Sequence, residues 1–186
     1  MYSTEVRVET LTVPEWLENY CDPEKFVPLC RECPEYGKNW SCPPGVPSME
    51  KIVAGYRYVH VIGLKVTYDK KVIQEAAACP KRAEQLRRET YGAAKKKMLQ
   101  ALLTLEEVFP QSLTIMAGRC ELCDRCTRAE GRGCRHPDKM RFSFSGLGFD
   151  LGKISSELLK MPLLWKSEGL PEYNVAIAAF LHSQGC

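Results

Sequence analysis

Apolar and polar positions alternate over 56–68, YRYVHVIGLKVTY, and most of the apolar ones are β-branched or aromatic, which predicts a strand. A shorter alternating arm over 6–13 predicts an extended segment that ends in a turn at Pro14. From 71 to 108 the period changes to that of a helix, with a break expected at Cys79-Pro80, where proline restarts a helix at its first turn. In the second half of this stretch Leu86, Met98, Leu102, Leu105 and Phe109 form one expected core-facing stripe. The basic runs 87–88 and 95–97 are expected on its solvated face, with a docking role as the alternative. SLTIMAG (112–118) reads as a strand, and LGKISSELLK (151–160) as a helix capped by Asp150 or Ser145. EYNVAIAAFL (172–181) reads as a strand, although its alanines also suit a helix.

The order β–α–β–loop–α–β predicts an α/β (α+β) protein: a small sheet of about three to four strands packed with helices. One domain is expected over 1–186, with its core in 51–118 and 145–183. The segments 21–50 and 119–140 stand apart as irregular loops, rich in cysteine and, in the first, in proline and glycine.

Composition changes this picture in one respect, the ten cysteines. The opening residues contain no apolar signal-peptide core, and no run is long enough to span a bilayer, so the expected setting is a reducing cytoplasm. There, clustered thiols bind metal more often than they form disulfides. A net charge of +3 is weak ground for a nucleic-acid partner, and thiolate-ligated clusters would lower it further. No nucleic-acid or membrane partner is therefore expected, and a homo-oligomer is left open.

The stretch RCELCDRCTRAEGRGCRHP places Cys120, Cys123, Cys126 and Cys134 in the spacing C-x2-C-x2-C-x7-C. A [4Fe–4S] cubane needs a thiolate at each of four corners, and three cysteines two residues apart can reach three of its irons. Structural zinc is the alternative, but its knuckles supply two ligands each, and a third cysteine crowded into one knuckle suits iron–sulfur better. Gly131 and Gly133 are expected to let the loop return, Arg119, Arg125, Arg132 and Arg135 to offset cluster charge, and His136 to hydrogen-bond nearby.

The second constellation, CRECPEYGKNWSCPPG, holds Cys30, Cys33 and Cys42, the last stiffened by Pro43 and Pro44 and brought back by a reversal at Gly37. Its expected fourth ligand is Cys21; Cys79, Cys186, an exogenous ligand or none are the alternatives. Cys79 itself reads as a small packed side chain. Tyr36 and Trp40 would shield a cluster or belong to the core.

With both loops in view, the chain resembles a family described only as predicted metal-binding proteins, a domain of unknown function. The resemblance rests on the knuckle around Cys30 and Cys33, the Cys-Pro-Pro step at 42–44, and the Cys120 loop with its closing Cys-Arg-His-Pro. It implies metal binding of the iron–sulfur kind, in anaerobic prokaryotes, and no particular reaction. RFSFSGLGFDL departs from the family pattern, with Phe142 where proline is usual and Ser145-Gly146 in place of an acidic residue and alanine.

Three functions follow as expectations. The first is an iron–sulfur electron carrier or accessory redox protein with an unidentified redox partner. The second is an enzyme or activating factor with an open-site cluster at Cys30, Cys33 and Cys42. The third is a zinc-stabilised interaction module. His60 and His182 are the candidates for an acid or base, and each reads as structural.

Overall fold

A computed structural model describes residues 2–165 and 169–183. Four strands form one antiparallel sheet in the order β1-β2-β4-β3, with β1 at Tyr2–Thr12, β2 at Tyr58–Tyr68, β3 at Leu113–Met116 and β4 at Tyr173–His182. Helices cover both faces, so the class is α+β.

The pleat divides the core into two layers. Val59, Val61, Ile115, Ile177 and Leu181 point to one face, where Trp16, Phe144, Phe149, Ile154 and Leu159 meet them. Leu64, Val66 and Ala176 point to the other, under residues of the 70–108 helical segment. β4 is central and buried on both sides, which explains its continuous apolar run without alternation.

The first turn predicted at Pro14 is instead the start of helix α1, Val13–Tyr20. Thr12 accepts from the Glu15 amide while the Glu15 carboxylate accepts from the Thr12 amide, and Pro14 occupies a first-turn position where no amide is needed. Two short turns, α2 (Pro23–Phe26) and α3 (Met49–Val53), punctuate the first cysteine-rich segment. The long helical segment breaks at Cys79 as expected, giving α4 (Lys70–Ala78), α5 (Pro80–Arg87) and α6 (Ala93–Val108).

Between α5 and α6 lies a π-turn, Arg88–Gly92, whose extra residue per turn rotates the following helix. The expected stripe holds only as far as Leu102: Leu99 and Leu102 are buried against Met116, Ala178 and Phe180, whereas Leu105, in the last turn, and Phe109, past the helix end, are 40% and 44% exposed. The 95–97 run is likewise misread at its first residue. Lys95 is buried, and its Nζ lies 3.3 Å from Glu121 Oε1, inside the second cysteine loop. Asp150 caps α7 (Leu151–Lys153) by accepting from the Lys153 amide, and a second π-turn, Ile154–Leu158, completes the expected helix.

At the far end of the sheet His60 and His182 stack with ring centroids 4.9 Å apart and their Nε2 atoms 3.0 Å apart. Burial, and then the neighbouring His182, hold the His60 pKa below the ordinary imidazole value. A histidine whose folded pKa is depressed resists protonation, so folding gains nothing from it above the unfolded pKa and loses stability below. Acidification from pH 7 to 5 is therefore expected to lower the melting temperature, and His60→Phe to flatten that slope. Identical slopes for both chains, measured by thermal melts across this range, would count against the pair as the source.

Candidate metal centre

The two cysteine loops are brought together at the end of the sheet where β3 leaves Met116. Ser41 accepts a hydrogen bond from the Cys120 amide at 2.9 Å, and its carbonyl accepts from the Ser143 amide at 2.9 Å. One residue of the first loop thus ties down both flanks of the second.

Cys120, Cys123, Cys126 and Cys134 all line one small recess, together with Trp40, Leu122 and Met140. The short helical turn Thr127–Glu130 carries the chain away from Cys126, and Gly131 reverses it in a left-handed conformation at φ 68°. Thr127 Oγ1 then donates to the Gly133 carbonyl at 2.7 Å, closing the loop onto Cys134. Gly133 serves that return without a positive φ. The His136 amide donates to Cys134 Sγ at 3.4 Å.

Burial, and then the neighbouring thiols Cys134 and Cys123, push the Cys120 pKa up, against hydrogen bonds with the Leu122 and Arg141 backbones that lower it. The protein alone therefore favours a protonated thiol, and a bound cation would reverse that balance by displacing the proton.

Cys30, Cys33 and Cys42 line a second, open cavity of about 420 Å3. Cys30 sits on the turn Pro28–Glu32, and the Cys33 amide donates to its carbonyl at 3.1 Å. Gly37, at φ 71°, makes the expected reversal, with its amide donating to the Pro43 carbonyl at 2.9 Å. The Cys42 pKa is raised by burial first, and also by Cys33 and Cys30, so the three thiols feel one another.

Cys21 is not brought to this cavity. Its thiol donates to the Leu147 carbonyl at 3.6 Å and packs on the main core. Its pKa is pushed up to about 11 by burial, then Glu50 and Asp22, with no contribution from the other cysteines. Cys79 is exposed rather than packed, because it lies extended between α4 and α5. Cys186 lies outside the described residues. Among the described residues, no three His, Cys, Asp or Glu side chains are close enough to hold a single metal ion.

The two sites adjoin. Ser41 and Cys120 line the recess, and their chain neighbours Cys42 and Arg119 line the cavity. Arg128 clasps the loops together: its guanidinium donates to the carbonyls of Asn39 and Cys42, each at 2.8 Å, and to that of Pro44, and lies 4.9 Å from the Trp40 ring centroid. Trp40 answers by donating from Nε1 to the Arg132 carbonyl at 3.1 Å.

Of the arginines read as charge compensators, Arg125 and Arg132 pair with Glu130, while Arg119 and Arg135 line the cavity and the recess. Arg128, Lys95 and Ser41 were not legible as site residues. Arg128 carries no local mark distinguishing it from the other arginines around it, and its carbonyl partners lie more than 80 positions away.

An α+β scaffold that gathers seven cysteines from two loops at one sheet end defines a cysteine-rich metal-binding protein. A family profile described as "Predicted metal-binding protein (DUF2284)" matches residues 12–178, and the chain belongs to that family. Neither curated proteins nor solved structures give a match.

Proposed function

We propose that this protein binds a [4Fe–4S] cluster through Cys120, Cys123, Cys126 and Cys134 and serves in electron transfer or as an accessory redox protein. The observation that carries this reading is the convergence of all four thiols on one recess lined by the apolar side chains Trp40, Leu122 and Met140. A cubane distributes its thiolates over four irons, so its cysteines stand farther apart than ligands of a single ion. A soft thiolate set also suits iron–sulfur or zinc and not calcium or magnesium.

Cys30, Cys33 and Cys42 supply a second metal site in this reading. Its contact with the first through Ser41-Cys42 and Arg119-Cys120 provides a short route for an electron. The exposed Arg125, Arg132 and Arg135 around the recess would receive a redox partner with an acidic surface. Iron–sulfur binding in a cytoplasmic setting needs no membrane or nucleic-acid contact; among the described residues no helix is long and apolar enough to cross a membrane.

Anaerobic purification with iron, acid-labile sulfide and zinc measured per chain tests the reading. About four irons with equal sulfide are expected for the Cys120 centre alone, about eight with a second cubane, together with broad visible absorbance that reductant bleaches. Zinc without sulfide in a colourless protein would replace this reading with a zinc-stabilised interaction module.

A further inference from the structure

We propose that the cavity beside Cys30, Cys33 and Cys42 binds a small, largely apolar organic thiol, whose sulfur takes the fourth position on the metal centre those cysteines hold. This rests on the reading that the three cysteines bind metal. Three observations carry it further.

The first is the ligand count. Three thiols share the cavity, and Cys21, the expected fourth, is turned away into the core with its proton directed at Leu147. A cubane held by three protein thiolates leaves its fourth iron for an outside donor. The second is that the charged side chains lining the cavity are already engaged within the protein. Glu35 accepts from Asn39, Asp150 caps Lys153, and Arg119 pairs with Glu121. The apolar surface is not engaged in this way. Leu29 and Trp165, both on the cavity wall, are 61% and 88% exposed. Exposed apolar surface grouped around a concave site marks where an apolar ligand gains by desolvation.

The third is chemical matching. A thiolate-ligated metal of the iron or zinc kind prefers a soft donor, and sulfur is the softest common one. Binding is a ligand exchange with no change of oxidation state: the metal–sulfur bond forms, the thiol proton goes to solvent, and any solvent molecule at that position leaves. Leu29 and Trp165 would then close on the apolar body of the ligand.

The test uses the full chain, reconstituted anaerobically with iron and sulfide, and benzyl mercaptan as probe, with 2-mercaptoethanol as a polar thiol of the same donor. Visible and electron paramagnetic resonance spectra are followed through a titration, and iron per chain is measured afterwards. A saturable change at one benzyl mercaptan per chain is expected, about tenfold or more tighter than for 2-mercaptoethanol. Leu29→Glu, at an exposed position, should weaken benzyl mercaptan and leave 2-mercaptoethanol unchanged. Cys21→Ala and Cys186→Ala should each retain the response.

The failures separate cleanly. If Cys42→Ala, folded by circular dichroism, keeps the iron content and spectra of the parent chain, the three cysteines hold no metal and the underlying reading fails. If it loses iron but the parent chain responds to benzyl mercaptan only after Cys21 or Cys186 is replaced, the fourth ligand is a cysteine of this chain and the proposal is overturned. Equal affinity for the two thiols would overturn the apolar part.

Discussion

Replacing Glu106 with alanine is expected to lower the free energy of unfolding by about 3–5 kcal/mol, the cost of stranding a buried charge. Its partner Arg141 lies at the end of the second cysteine loop, with side-chain exposures of 9% for Arg141 and 13% for Glu106. Arg141 donates Nε to Glu106 Oε1 at 2.8 Å and a second nitrogen to Oε2, and its other nitrogen donates to the carbonyls of Asp138 and Met140. Glu106 Oε1 also accepts from the Thr114 amide at 2.8 Å. One carboxylate on α6 therefore holds both the β3 edge and the loop that returns from Cys134.

Without it, the guanidinium is left with two carbonyls and no counter-charge. Glu106→Gln keeps an acceptor and should cost less. The double variant Glu106→Leu with Arg141→Met removes both charges and should recover part of the loss, because an apolar pair of similar size carries no charge to desolvate while the Thr114 amide still lacks its acceptor. Urea unfolding of the four chains checks this; a double variant no more stable than Glu106→Ala would show that shape, not charge, sets the cost.

Arg128→Ala is expected to loosen both cysteine loops at once and to lower bound metal at both sites. Hydrogen bonds to a charged group contribute about 1.5–3 kcal/mol each, and Arg128 makes three to the first loop from a position within the second. Asn39, Cys42 and Pro44 would lose a donor, and Trp40 would lose the guanidinium over its face. Arg128→Lys should rescue little, since a single ammonium lacks the planar fork that reaches separate carbonyls and stacks on an indole. Faster amide exchange in both 30–45 and 120–136, with iron per chain reduced, is the expected signature. Exchange that rises in one loop alone would mean that Arg128 serves that loop and does not join the two.

Local chemistry was readable wherever neighbours in sequence decide the outcome. The strand at 58–68 follows from side-chain alternation, those at 113–116 and 173–182 from short apolar runs between turn residues, and the break at Cys79-Pro80 from proline's missing amide. The spacing of Cys120, Cys123, Cys126 and Cys134 confines four thiols to one short loop, and the fold places them around one recess. The stripe through Leu105 and Phe109 was misleading because the core contacts of α6 end at Leu102, and nothing in a periodic pattern says how much of a helix the sheet covers. Lys95 failed similarly: in a run of three lysines the linear pattern does not say which one turns inward toward Glu121.

What the sequence determined by itself is therefore most of the elements, the class of fold and the two cysteine groups of a metal-binding family, since each depends on residue types a few positions apart. That Cys21 joins neither group, and that the two cysteine loops meet, was decided by the tertiary structure alone. Cys21 is only nine positions from Cys30, yet its pairing with Phe149 draws it onto the core, while Ser41 and Cys120, 79 positions apart, are joined by one hydrogen bond. The sheet order and the packing of 142–159 beneath it set those distances, and they arise from burial summed over the whole core, which no short window of residues contains.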